Sequence, residues 1–225
     1  MGSPRSVNFR NDYIYHVFNR GVERRNLFLS TRDSERFIML LEYYRFLDIP
    51  KSFSHYLNLS IEERQIYYDT IQKLPLTIDI LAYCLMPNHF HLLVRQKGDL
   101  GIIKAISNIA NGYAKYFNAK NKRVGPLFQG PFKAVRIESD EQLLHVSRYI
   151  HLNPVVSGII PEKELLSYPW SSLSSYVGKQ PSRWVEERTV LSHFKNCQEY
   201  LTFVCDQISF AKELQKIKHI ILEDV

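Results

Sequence analysis

The 225 residues predict the α+β class. Three observations carry that expectation. Segments with strand and helix periodicity follow one another as strand, helix, strand, strand, helix, strand, helix. The two middle strands are separated only by Pro87 and Asn88, which makes them an antiparallel hairpin. Ser60-Ile61-Glu62-Glu63 and Ser139-Asp140-Glu141-Gln142 both carry the capping-box pattern that opens a helix. Such an order is that of a ferredoxin-like split βαβ antiparallel sheet with helices on one face.

Residues 12–19 alternate Ile14, His16 and Phe18 with Tyr13, Tyr15 and Val17, a β-branched and aromatic run at period two. Gly21 ends it. Phe37, Leu40, Leu41 and Tyr44 recur at helical spacing and predict a helix from residue 30 or 31 to 46. Residues 48–75 read as an insertion, with a short helix from its cap at Ser60 toward Lys73. The apolar runs 76–86 and 90–95 form the hairpin and are expected at the sheet centre. Ile103, Ile106, Ile109 and Ala110 define one face of a helix over about 100–118, with Lys104 and Lys115 elsewhere on its surface. A short strand at 132–137 follows the Gly125-Pro126 loop. The next helix runs from its cap at Ser139 to about Leu152, where Pro154 stops it. From residue 160 the pattern changes to YPWSSLSSYVG and then to helices near 186–204 and 206–222. The expected organisation is a domain over 1–159 and a helical C-terminal appendage over 160–225.

With 45% hydrophobic and 23% charged residues, the composition excludes disordered, collagen-like and disulfide-scaffold classes. No apolar run approaches the roughly 18 residues of a membrane span, and no signal-peptide stretch opens the chain. A cytoplasmic protein with no membrane partner is expected. Cys84, Cys197 and Cys205 are widely spaced and form no Cys-x-x-Cys pair, which suits free thiols in a reducing compartment. The net charge is +6, yet residues 95–136 alone hold nine cations against one acid, or +8. Those cations are Arg95, Lys97, Lys104, Lys115, Lys120, Lys122, Arg123, Lys133 and Arg136, interleaved with Tyr113, Tyr116, Phe117, Phe128 and Phe132. Cations neutralise phosphates and exposed rings stack on unpaired bases, so this is the candidate nucleic-acid surface. A solvated helix face over core aromatics accounts for the same pattern.

His89 and His91 flank Phe90 at the start of the second hairpin strand, so period two puts both imidazoles on one face, where they can share a cation. Two core or surface histidines would look the same. Tyr149 and Asn153 are four apart in SRYIHLNP, hence close on one helix face, and a hydroxyl and an amide oxygen there can address one ion. A packed tyrosine and a helix-capping asparagine would share that spacing. His151, two residues from Tyr149, points elsewhere on a helix. Tyr113 and Tyr116 are rival nucleophiles on the basic helix.

The runs YHVFNRG, AYCLMPNHFHLLV, GPLFQGPFK and RYIHLNPV closely resemble the single-tyrosine HUH transposases, and within them the REP-associated tyrosine transposases. The resemblance covers roughly residues 10–175. It implies His89 and His91 as metal ligands, Tyr149 as nucleophile, Asn153 as the amide completing the site, and a ferredoxin-like sheet. Two departures stand out: Pro131 lies where such proteins often carry Arg, and minimal members lack the 48–75 insertion and the C-terminal appendage. The implied activity is metal-dependent cleavage and joining of single-stranded DNA at REP-like hairpins through a 5′-phosphotyrosine, by a monomer or homodimer using Mg²⁺ or Mn²⁺. The competing readings are a hydrolytic metallonuclease and a non-catalytic binder of DNA or RNA hairpins.

Overall fold

In the computed structural model, which describes residues 7–213, strands β1 (Ile14–Arg20), β2 (Ile78–Met86), β3 (His89–Gln96) and β4 (Lys133–Arg136) form one antiparallel sheet in the order β2-β3-β1-β4. This is the split βαβ order expected. The central strands are β1 and β3, however, and β2 lies at the end of the ladder rather than sharing the centre. Its run Ile-Asp-Ile-Leu-Ala-Tyr-Cys-Leu-Met is nonetheless buried at every position. The reason is that residues 170–186 cover its outer edge, with bridges from Ser171 to Cys84 and Val185 to Ile80. A strand covered on both faces and its edge loses the alternation that betrays an edge, so it reads as central.

Helix α1 (Thr31–Tyr43) starts where expected. The insertion folds as α2 (Phe53–Leu57) and α3 (Ile61–Ile71), and at Ser60 and Glu63 both halves of the capping box form. It packs on the outer side of α1, where Tyr43 meets Phe53 and Tyr56 at ring separations of 5.1 and 5.2 Å. Helix α4 (Gly101–Lys120) begins against the sheet, and a Cβ on Gly101 would lie 2.2 Å from the Thr77 carbonyl oxygen. Only glycine allows that approach. Helix α5 (Asp140–Val156) is capped by Ser139, whose hydroxyl accepts from the Gln142 amide at 3.2 Å. It does not stop at Pro154. The proline has a helix-compatible φ and removes a single hydrogen bond, and the turn continues because Val155 is buried and the Ser157 amide bonds the Asn153 carbonyl at 2.9 Å.

Alternation along β3 assigns the faces. Phe90 meets Phe37 of α1 at 4.9 Å, and Phe37 meets Tyr113 of α4 at 5.2 Å, so α1 and α4 share one face. His91 points to the opposite face and meets Tyr149 of α5. Helices α1 and α4 thus pack on one face as expected, but α5 covers the other, so the sheet carries helices on both faces rather than on one. The aromatic seam under α1 and α4 is the main core, where truncating Phe37 to Ala would cost roughly 3–5 kcal/mol.

The C-terminal segment packs against β2 and α5 as α6 (Leu173–Tyr176), α7 (Arg188–Leu191) and α8 (Cys197–Cys205). One long helix over 186–204 was expected. Asn196 interrupts it, taking extended backbone so that its side chain accepts from the Glu199 amide at 2.9 Å and caps α8. Residues 208–213 are helical, and the remainder of the helix expected over 206–222 lies outside the described residues.

Candidate active site

A cleft of about 930 Å³ opens on the face where α5 crosses the sheet. Strand β3 contributes His89 and His91 to it, β1 contributes His16, Phe18 and Arg20, and α5 contributes Tyr149 and Asn153. The ladder explains the grouping. Phe18 is directly opposite His91, and Arg20 directly opposite His89, so period two puts all four on one face.

The His89 and His91 rings are 5.0 Å apart and perpendicular. Nδ1 of His89 is 2.6 Å from the Asn88 side-chain oxygen, which can only accept, so Nδ1 carries the proton and Nε2 presents its lone pair. Nδ1 of His91 is 2.9 Å from Nε2 of His16. The buried Nε2 of His91 has no partner. Burial, with a lesser contribution from Arg20, lowers His89 to about 4. His91 is pushed well below the usual histidine value by burial and then by His16, His89 and Arg20. Both imidazoles are therefore neutral at pH 7, the form that ligates metals.

Asn153 is buried, its side-chain oxygen accepts from the Ser157 hydroxyl at 3.3 Å, and its Nδ2 has no partner. Turning the amide over leaves Nδ2 donating to Ser157 and places the oxygen at the unpartnered position. Buried polar atoms in native proteins find partners, and two orphans in one cleft mark a place for a bound group. Two imidazole nitrogens and an amide oxygen fit a divalent cation that keeps open positions for water or substrate. Among the described residues there is no cluster of three His, Cys, Asp or Glu side chains able to hold a metal, and the three candidate ligands, two imidazoles and an amide, are all uncharged.

Tyr149 stands at the cleft mouth, 50% exposed, its ring edge-on to His91 at 5.3 Å and to His16 at 5.9 Å. Its hydroxyl makes no hydrogen bond among the described residues. The two rival tyrosines lie across the sheet. Tyr113 is fully buried with its hydroxyl donating to the Leu27 carbonyl at 2.5 Å, and Tyr116 donates to Asp33 at 2.9 Å.

The GPLFQGPFK segment forms the far wall. Gln129 N bonds the Arg20 carbonyl at 2.9 Å, Asn19 Nδ2 bonds the Gly130 carbonyl at 3.0 Å, and Gly21 N bonds the Asn88 carbonyl at 2.8 Å. A Cβ on Gly21 would lie 2.2 Å from the Arg25 carbonyl oxygen, so the tight turn leaving β1 requires glycine.

Of the nine cations in the basic segment, Lys133 alone lines this cleft. Arg95 is on the histidine face but about 20 Å along the strand from His89, in a 2.7 Å ion pair with Asp79. Lys97 pairs with Asp12 at 2.8 Å, and Lys104 is 4.0 Å from Asp48. Lys120 pairs with the buried Asp33 at 2.6 Å. Arg123 holds its own loop through the Gly125 and Pro126 carbonyls, and Arg136 stacks over Tyr13 at 4.2 Å. Lys115 lines a groove between α1, α2 and α4, and Lys122 a shallow hollow by Phe117, both remote from the histidines. Helix α4 is on the Phe90 face, so the charge concentrated along the chain is not concentrated at the cleft.

His16, Asn19, Arg20, Asn88 and Gln129 were not singled out from the sequence. The period-two pattern of YHVFNR, combined with the β1–β3 register, is the signal that finds His16 and Arg20.

The family profile described as transposase, IS200-like, matches residues 38–153, just over half of the chain. No curated protein matches in sequence. A solved structure described as a REP-associated tyrosine transposase bound to a REP hairpin superposes with a TM-score of 0.53 at 16% identity, over 82% of this chain and 98% of that one. At that identity the likeness is one of fold.

Proposed function

The chain belongs to the IS200-like transposase family, and from that premise we propose that it cuts and rejoins single-stranded DNA beside a hairpin, with Tyr149 as the nucleophile and a divalent ion held by His89, His91 and Asn153. The observation carrying this reading is that half-exposed Tyr149, its hydroxyl unbonded among the described residues, lines one cleft with His89, His91 and Asn153, where two buried polar atoms are left without partners. Hairpin DNA is the ligand of the REP-associated transposase that shares this fold, and it is the substrate class proposed here.

In the proposed reaction Tyr149 Oη bonds to the phosphorus of a backbone phosphodiester and the bond from phosphorus to the 3′ oxygen breaks. The phenolic proton goes to water, which reaches the exposed ring, and the 3′ oxygen leaves as a hydroxyl after taking a proton from water. The phosphotyrosine ester conserves the phosphodiester bond energy for rejoining to another 3′-hydroxyl. A Mg²⁺ or Mn²⁺ held by His89, His91 and Asn153 would supply Lewis-acid polarisation of the phosphate and a template for its orientation. Asn88 fixes the His89 tautomer, His16 orients His91, and the rigid β1–β3 ladder sets the distance between the imidazoles and α5.

The test uses hairpin oligonucleotides labelled at either end, incubated with Mn²⁺ and run on a denaturing gel. A 3′ label that migrates with the protein, with the 5′ label released on a fragment ending in a 3′-hydroxyl, is the expected result. Cleavage with both labels free would indicate hydrolysis by water, and binding without cleavage would indicate a hairpin-binding protein.

A further inference from the structure

Arg20 is an odd residue to find beside a metal site. It is the ladder partner of His89, lines the same cleft, and is exposed there. Among the described residues no carboxylate lies within 4.0 Å of its guanidinium. Its backbone is pinned on both sides, the amide to the Asn19 side-chain oxygen at 2.8 Å and the carbonyl to Gln129 N at 2.9 Å, so the side chain starts from a fixed point. Lys133, the ladder partner of Phe18, adds a second cation to the cleft. The acid lining the cleft is Glu23, which forms no metal-holding cluster with the histidines.

The consequence is electrostatic. Two imidazoles and an amide bring no negative charge to a dication, and a neighbouring guanidinium repels it. A positive charge several ångströms from a dication in an open, water-filled cleft changes affinity by on the order of tenfold. A phosphate entering the cleft reverses the sign, because its oxygens neutralise ion and guanidinium together and accept Arg hydrogen bonds in bidentate geometry.

We propose that Arg20 couples the divalent ion to the DNA phosphate, so that the free protein holds the ion weakly and the ion and DNA each strengthen binding of the other. The proposal rests on the reading of His89, His91 and Asn153 as the metal site. Coupling of this kind is reciprocal: the factor by which DNA tightens the ion is the factor by which the ion tightens DNA. Its function would be to keep the ion from settling before a phosphate is in place.

The experiment measures Mn²⁺ affinity by the loss of the free-ion electron paramagnetic resonance signal, with and without a short single-stranded oligonucleotide. The Tyr149→Phe background prevents covalent chemistry. In that background, adding DNA should tighten Mn²⁺ about tenfold. With Arg20→Gln added, Mn²⁺ should bind several-fold tighter without DNA, and the gain from DNA should shrink to about twofold or less. Lys73→Gln, the same charge change in the insertion, should leave both values unaltered. Equal Mn²⁺ affinity with and without DNA, or unchanged coupling in Arg20→Gln, overturns the coupling role. Weaker Mn²⁺ binding in DNA-free Arg20→Gln does the same, because it marks Arg20 as structural support. If Mn²⁺ binds neither with nor without DNA, or binds equally well in His89→Ala, the metal site itself is misassigned and the coupling falls with it.

Discussion

His151 offers a quantitative test of how α5 is held. It is completely buried, with Nδ1 2.6 Å from the Tyr200 hydroxyl and Nε2 2.8 Å from the Ser172 hydroxyl. Tyr200 also donates to Ser147 at 3.2 Å, and Ser172 accepts from the Tyr83 amide at 2.9 Å. One imidazole thus ties α5 to α8 and, through Ser172, to β2. In His151→Leu two hydrogen bonds disappear while each partner keeps another, so the loss is about 2 kcal/mol at neutral pH. Burial lowers the His151 pKa to about 3, below the roughly 6.5 of an unfolded histidine. Between those values the unfolded chain binds a proton that the folded chain refuses. The contribution of His151 is therefore complete above pH 6.5 and falls with pH by about 1.4 kcal/mol per unit. By pH 5 the decline reaches about 2 kcal/mol, so wild type and variant should become equally stable there. Urea titrations at pH 7, 6 and 5, followed by fluorescence of Trp170 and Trp184 in the C-terminal segment, measure this directly. A stability difference that stays constant from pH 7 to pH 5 would refute the neutral, doubly bonded imidazole.

Further expectations concern the metal, the charge and the C-terminal segment. His89→Ala and His91→Ala should each abolish Mn²⁺ binding measured by calorimetry in the presence of DNA, while Asn88→Ala, acting through the His89 tautomer, should weaken it by roughly 10- to 100-fold; full affinity in either histidine variant would exclude the site. For an unstructured single strand, Lys133→Gln should reduce the slope of log K against log salt by about 0.7, whereas Lys104→Gln and Lys115→Gln on the opposite face should leave it unchanged. The reverse pattern in fluorescence anisotropy would put the strand on α4. Deleting residues from 160 onward removes the cover from the edge of β2, and the truncated chain should lack cooperative thermal unfolding by circular dichroism; a sharp transition would show that residues 1–159 fold alone.

The parts of the molecule governed by local rules were legible in the sequence. Ser60 with Glu63, and Ser139 with Gln142, announce α3 and α5 because caps are satisfied within four residues. The facing of His89 with His91, and of Tyr149 with Asn153, follows from the periods of strand and helix alone. What escaped depends on the third dimension. The cations of α4 are close in sequence to the histidine strand, yet the pleat sends successive side chains to opposite faces, and α4 packs beneath Phe90 while α5 crosses above His91. A count of charge along the chain contains no information on that choice. His16 and Arg20 join the site only once the β1–β3 register is known. The Pro-Trp-Ser-Ser stretch lacks strand periodicity, although its backbone completes the edge of β2 at Ser171 and its Ser172 hydroxyl reaches His151.

Strand transfer in this cleft depends on Tyr149. The decisive measurement is the yield of denaturation-resistant protein–DNA adduct with a hairpin oligonucleotide and Mn²⁺, compared between wild type, Tyr149→Phe and Tyr116→Phe. Loss of the single hydroxyl in Tyr149→Phe should abolish the adduct with hairpin affinity unchanged within a few fold, and Tyr116→Phe should form it at the wild-type level. An adduct that persists in Tyr149→Phe, or one that vanishes in Tyr116→Phe instead, would contradict the assignment of the cleft as the site of strand transfer.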